Sequence, residues 1–298
     1  MGVMRISLGL WGSQELVGDD FANVLDLARM ADAKGIDQLD TPDHILMANP
    51  EKYLYGDYYV PADYPYFEPL IALSAFAAVT TRIRLTNGIV VAALRPAALL
   101  AKQIATIDAI SRGRIEVGVG AGWMEEEFSA CGVPFEGRFE RMFETVRAMR
   151  ALWATAPTGF AGKHVSFDNV YQLPLPVQPR IPVNFGLGVA SERNFARIAE
   201  LGDGWFPMEQ DPANLGPQIA ALKAAFVAAG RDPAELNVRV MLDPFYVKDG
   251  SADLEANLAK VPALAAVGVT TMCFPARAYC RSLDDFEPFL DRILTVKS

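Results

Sequence analysis

The chain has 298 residues, 51% of them hydrophobic and 21% charged, and a formal net charge of -9. Such acidity, without a basic cluster, argues against nucleic acid and anionic membranes as partners, and any phosphate must be gripped locally against the overall field. Two histidines (His44 and His164) and three scattered cysteines (Cys131, Cys273 and Cys280) give neither a histidine-rich metal site nor a disulfide framework, so no metal is expected.

Arg5–Leu10 reads as a buried strand rather than a signal peptide, and no run approaches the roughly 20 apolar residues of a membrane helix, so a cytoplasmic protein is expected. Strand Ile6–Leu10 is followed by a helical pattern over Asp20–Lys34, Gln38–Thr41 by Glu68–Thr80, Ile83–Ile89 by Pro96–Ile110, and Ile115–Val119 by Arg138–Trp153. Then come Val183–Phe185 with Ser191–Leu201, Gly204–Phe206 with Asn214–Ala229, Val238–Leu242 with Ala252–Val267, and Thr270–Phe274 with Leu283–Leu294. Gly35, Gly202 and Gly268 each stand between a helix and the next strand, where a left-handed glycine ends a helix. Strict alternation implies a parallel sheet with right-handed crossovers. Eight such pairs predict a (β/α)8 TIM barrel, one domain over residues 1–298, with insertions after strands two and four. The first insertion is the Pro42–Pro65 loop. The second is Thr158–Gln178, where Lys163–Phe167 and Val170–Gln172 suggest a hairpin.

A parallel barrel carries its active site at the strand C-termini. That face comprises Trp11–Gln14, Asp43-His44, Asn87–Val91, Gly120–Trp123, Gly186–Ser191, Pro207–Glu209 and Asp243. The densest signal is Gly118-Val-Gly120-Ala121-Gly122-Trp123-Met-Glu-Glu-Glu127-Phe128, where glycines let a flat ligand approach the backbone. It is not a Rossmann turn, because the glycine phase is wrong and it follows the fourth strand. No Gly-x-Ser-x-Gly elbow, NTPase phosphate loop or glycosidase-like acidic pair is present.

Ile83–Ile89, Arg95-Pro96, Leu100-Ala-Lys102, Thr106-Ile-Asp108, Ser111–Arg114, Gly118–Phe128, Ala199–Pro207 and Asp43-His44 together resemble the luciferase-like oxidoreductases in order and spacing. The nearest subgroup is similar to enzymes using coenzyme F420, a 5-deazaflavin; the rest of that superfamily uses FMN, often as oxygen-dependent monooxygenases. The resemblance implies a non-proline cis peptide at Gly88-Ile89, bulging against the cofactor ring, with Asp43, Asn87, Gly120, Ala121 and Trp123 around it. It implies a histidine, His44, near the reacting carbon. It also implies a phosphate grip over Gly186, Leu187, Gly188, Val189, Ala190 and Ser191, although Leu187 separates glycines that the family often keeps adjacent. The implied activity is hydride transfer between reduced F420 and a small organic substrate. The alternatives are an FMN monooxygenase served by a flavin reductase, and a non-catalytic flavin-binding barrel. A homodimer is implied by the same resemblance.

Several residues keep two readings. His44 is an imidazole that can move a proton to or from a substrate, or it is a structural histidine held by Asp43 or a loop carbonyl. Ser191 caps a helix, binds phosphate, or both. Arg193, Arg95 and Lys102 add charge near the site or are solvated. Asp108, Arg112 and Arg114 suggest a structural cap-and-pair arrangement. At least two of Glu125, Glu126 and Glu127 belong to a solvated face. Trp11, Trp123, Tyr53–Tyr59, Tyr66, Phe206 and Met208 wall an apolar pocket or fill core. His164 is expected in solvent.

Overall fold

The computed structural model describes residues 3–49, 65–242 and 252–297. Strand β1 (Arg5–Gly9) leads to helix α1 (Phe21–Lys34), β2 (Gln38–Thr41) to α2 (Pro69–Val79), and β3 (Arg84–Asn87) to the short β4 (Val90–Val91) and α3 (Ala97–Ser111). β5 (Val117–Gly120) is followed by α4 (Glu125–Ala130), α5 (Arg138–Ala154) and an antiparallel hairpin of β6 (Thr158–Ala161) and β7 (Ser166–Val170). The second half runs β8 (Val183–Gly186), α6 (Glu192–Leu201), β9 (Gly204–Phe206), α7 (Pro212–Ala228) and β10 (Asn237–Met241). It ends with α8 (Leu254–Leu258), α9 (Val261–Ala266), β11 (Thr271–Pro275), α10 (Ala276–Tyr279) and α11 (Phe286–Leu294). Tyr53–Tyr59, Asp243 and residues 50–64 of the expected Pro42–Pro65 loop lie outside the described residues.

The main sheet is parallel, in the order β3-β2-β1-β11-β10-β9-β8-β5-β4. β3 and β4 stand at its two ends, yet only Gly88 and Ile89 separate them in the chain. Leu85 bridges Ile115 in parallel, its N–H donating to Arg114 O (3.0 Å) and its carbonyl accepting from Glu116 N (2.8 Å). The sheet therefore closes into the expected TIM barrel, with β3 and β4 as two halves of one interrupted strand.

Alternation along the strands sends Ile6, Leu8, Leu39, Val119, Phe185 and Val240 outward into the apolar layer under the helices. The interior is polar instead of the usual branched aliphatic filling. Near the N-terminal end, Glu116 accepts from Arg5 Nη1 (3.1 Å), Gln38 Nε2 (2.6 Å) and Arg84 Nε. One tier higher, the buried Arg239 donates to Asp40 Oδ1 (3.0 Å) and Cys273 Sγ (2.9 Å), its second nitrogen lies 2.6 Å from Asp40 Oδ2, and its guanidinium covers the Phe206 ring. Burial works against the Arg239 charge, but Asp40 and Cys273 outweigh it and raise its proton affinity. Burial likewise pushes the Cys273 thiol up to about 11.

A cavity of about 460 Å³ opens at the N-terminal mouth of the barrel, far from the strand C-termini. Its rim is tied by Asp203, which pairs with Arg150 (2.7 Å), Arg180 (2.8 Å) and Arg231 (2.9 Å), so it reads as a braced end of the fold.

The sequence reading needs five corrections. The third strand, expected over Ile83–Ile89, begins at Arg84 and pauses at Gly88-Ile89, where the resemblance implied a bulge, before resuming at Val90. The hairpin uses Thr158–Ala161 and Ser166–Val170, because the Glu144 carboxylate accepts from His164 and Val165 N–H and turns 162–165 into the hairpin loop. The Ala252–Val267 helix divides into α8 and α9: Pro262, without an N–H to donate to the preceding turn, stands in the first turn of α9. The expected Asn214 start lies inside α7, which begins at Pro212 after an Asp211 cap. Gly35 (φ 88°) and Gly268 (φ 106°) are left-handed, but Gly202 is extended. Gly202 is needed for space: a Cβ there would stand 2.7 Å from the Phe185 ring.

Candidate active site at the strand C-termini

The interrupted strand organises the rim. The Gly88-Ile89 peptide is cis, as the sequence reading expected. Below it, Asn87 replaces ladder bonds across the seam: its amide donates to Gly118 O (2.5 Å) and accepts from Gly118 N (3.3 Å). Asn87 is fully buried, so it positions Gly88 and leaves the open face to its neighbours. Gly88 is exposed and rests on the charged tier, where a Cβ would meet Arg239 Nη1 at 2.9 Å and Asp40 Oδ1 at 3.0 Å. The Ile89 side chain leans across to β5 and β8. A Cβ on Gly120 would lie 2.4 Å from its Cδ1, and one on Gly186 would lie 2.7 Å from its Cγ2.

Asp43 and His44 follow β2. Asp43 is buried; it accepts from Val91 N (2.7 Å), anchoring the far end of the bulge, and is clasped by both nitrogens of Arg95. Arg95 also reaches Glu68 (3.0 Å), and although burial lowers its proton affinity, Asp43 and Glu68 more than restore it. Asp43 therefore does not hold His44. The His44 partner is Glu127: its Oε1 lies 3.4 Å from Nδ1 and accepts the Ile45 N–H at 2.8 Å. The imidazole meets Tyr66 and Trp123 edgewise, at ring distances of 5.0 and 5.8 Å. Ala48 N–H donates to Met124 Sδ (3.1 Å), docking the 44–48 segment onto the start of α4. Next to Trp123, Gly122 takes φ 81°, and its carbonyl accepts from Arg138 Nε (3.0 Å). Ala121 is buried beneath this turn.

After β8, Leu187 turns inward, its carbonyl accepting from Trp205 Nε1 (2.9 Å), while Gly188 and Val189 are exposed and Ala190 is half-buried. Ser191 caps α6 through Asn194 N–H (3.3 Å), and Asn194 Nδ2 returns to Val189 O (3.0 Å). The other N–H groups of that first turn have no helical carbonyl to meet.

One face thus gathers Asp43, His44, Gly88, Ile89, Gly120 and Trp123, with Gly186–Ser191 on its other side. Arg193 pairs with Glu140 on the surface, Lys102 donates to Leu173 O, and His164 is exposed. Asp108, Arg112 and Arg114 are structural but do not pair with one another. Asp108 accepts from Val177 N, Gln178 N and Gln178 Nε2, Arg114 donates to carbonyls of Ala77, Thr80, Ile83 and Ser111, and Arg112 is the left-handed end of α3. Sequence reading missed Glu127 as the buried member of its glutamate run, and Asp40 and Arg239 under Gly88. Alternation within the second and seventh strands carried the latter signal; nothing local marked Glu127.

The model of the luciferase-like monooxygenase family matches residues 4–289. This chain belongs to the luciferase-like monooxygenase family. Uncharacterized protein Rv0953c of Mycobacterium tuberculosis is 34% identical over 274 residues, covering 89% of this chain and 90% of that one. Among solved structures, monooxygenase RslO1 from Streptomyces bottropensis superposes with a TM-score of 0.78 at 22% identity, over 99% of this chain and all of that one. An F420-dependent secondary alcohol dehydrogenase in complex with an F420-acetone adduct gives 0.78 at 17% identity, over the full length of both. At such identity the two structures show a shared fold.

Proposed function

We propose that this chain is an oxidoreductase that transfers hydride between reduced coenzyme F420 and a small organic substrate. The observation that carries the reading is that His44 directly follows Asp43, whose carboxylate accepts from Val91 N–H at the far end of the Gly88-Ile89 bulge (2.7 Å), at the strand C-termini. The residues fit a planar ring. Gly88 is exposed, Gly120 and Gly186 lack the Cβ atoms that Ile89 would strike, and half-buried Trp123 borders the same face. Gly188–Ser191 and the first turn of α6 suit the phosphate of such a group.

The 5-deazaflavin supplies a hydride donor that reacts poorly with oxygen. The chain would orient it: Ile89 would back the ring, while Asp43 and Asn87 fix the two ends of the bulge. His44 exchanges a proton with the substrate oxygen. Tyr66 and Trp123 pack edgewise against the imidazole and limit the room for water beside it. Ile71 and Leu99 on the outward faces of α2 and α3 are 70% and 53% exposed, which supports a homodimer through those helices. We read the protein as a cytoplasmic single-domain barrel.

The test is titration of the purified protein with F420 and FMN, followed by a panel of alcohols and carbonyl compounds. Saturable F420 binding and F420-coupled turnover are expected. Yellow protein retaining FMN, with oxygen consumption in the presence of a flavin reductase, would establish the second reading, a two-component monooxygenase; the family description favours that alternative. Failure to bind either cofactor would leave a non-catalytic barrel.

A further inference from the structure

We propose that Glu127 is the positioning residue of His44: its carboxylate holds the imidazole in the Nδ1–H tautomer and leaves Nε2 as the atom that exchanges protons at the mouth. The tautomer assignment stands on geometry alone; its use in proton transfer rests on the reading of His44 given above.

Glu127 is 1% exposed, in the first turn of α4, and a carboxylate so buried needs donors. The Ile45 N–H supplies one, at 2.8 Å to Oε1. The same oxygen lies 3.4 Å from His44 Nδ1, and among the described residues Nδ1 is buried without a hydrogen-bond partner, so this oxygen is the acceptor a proton on Nδ1 would meet. A proton on Nδ1 gives both atoms a partner. A proton on Nε2 alone would set a lone pair against a buried carboxylate. The His44 side chain is 12% exposed, and because Nδ1 is inaccessible that exposure belongs to the rest of the ring. Tyr66 and Trp123 pack edgewise on the imidazole and oppose its rotation. The neighbouring carboxylate, Asp43, is committed to Arg95 and Val91, which leaves Glu127 as the acidic group facing Nδ1 among the described residues. Hydrogen bonds of this kind are often long before substrate binds.

The chain has only two histidines, so an His164→Ala background leaves one imidazole to observe. Long-range proton–nitrogen NMR of 15N-histidine-labelled protein, without cofactor and at mildly alkaline pH, reads the tautomer directly. His44 is expected to show a protonated Nδ1 and a pyridine-like Nε2. Glu127→Gln keeps a carbonyl oxygen on Ile45 N–H and beside Nδ1, so it retains that tautomer. Glu127→Leu loses it, and the proton moves to Nε2, the site neutral imidazole prefers in water. A protonated Nε2 in the unsubstituted site overturns the proposal whether or not any variant folds, as does an unchanged Nδ1–H signal in folded Glu127→Leu. Absence of turnover with the Nδ1–H tautomer intact would count against the redox reading instead.

Discussion

The Ile89 side chain fills the volume that a Cβ on Gly120 would occupy, with a separation of 2.4 Å between the two positions. A branched side chain on one edge of the barrel opening thus specifies glycine on the next strand. Gly120→Ala is expected to destabilise the fold by about 1–3 kcal/mol through overpacking and to weaken cofactor binding. Ile89→Ala should suppress the stability loss, and a double-mutant cycle by chemical denaturation reads the coupling. Strict additivity would show that the two side chains do not compete for this space.

The pair of Asp40 and Arg239 predicts an asymmetric mutational response. Asp40→Asn strands a buried guanidinium and should cost about 3–5 kcal/mol, whereas the joint change Asp40→Leu with Arg239→Met should cost much less than the sum of the single changes. Urea denaturation of Asp40→Asn, Asp40→Leu, Arg239→Met and the joint variant measures this. A joint cost equal to the sum of the single costs would mean that the two side chains contribute independently.

Asp203 ties three arginines at the opposite end of the barrel. Burial raises its proton affinity, but Arg150, Arg180 and the Val183 N–H outweigh it and hold the carboxyl below the ordinary 3.8. An acid with a depressed folded value stabilises fully above its unfolded value and loses that contribution as pH falls through the folded one. Asp203→Asn should therefore be several kcal/mol less stable at neutral pH, with the gap from the parent closing only below about pH 3.8. Melting curves against pH give the comparison.

Thiol reactivity should sort by burial. Cys273 is pushed up to about 11 and Cys280 to about 12, chiefly by desolvation, while Cys131 is half-buried. Iodoacetamide at neutral pH is expected to label Cys131 in the native protein and the other two only after unfolding. Mass spectrometry of the alkylated peptides tests the order.

Gly35 and Gly202 show what the sequence made legible and what it hid. Both punctuate a helix–strand junction, and the junctions were found from them. Only Gly35 is there for its dihedral angles; Gly202 is there because Phe185, seventeen positions away in the chain, occupies the space beside it. Gly35→Ala should cost the modest left-handed penalty of about 1 kcal/mol, and Gly202→Ala more, because a ring must move. The strands and most helices were readable because they depend on short-range pattern, whereas the bulge at Gly88-Ile89 was implied by the family resemblance. Glu127 was not, because its meaning lies in Ile45 and His44, more than eighty residues upstream, while its two acidic neighbours have the same local sequence character.

The hydrophilic lumen has a consequence for how this molecule can diversify. Aliphatic cores accommodate change by repacking, but a guanidinium held by a carboxylate, a thiol and an aromatic ring has few alternative geometries. Gly88 sits on that rigid platform. Loops above it are free to be exchanged for new specificities while the plane on which a reactant lies stays where the platform puts it.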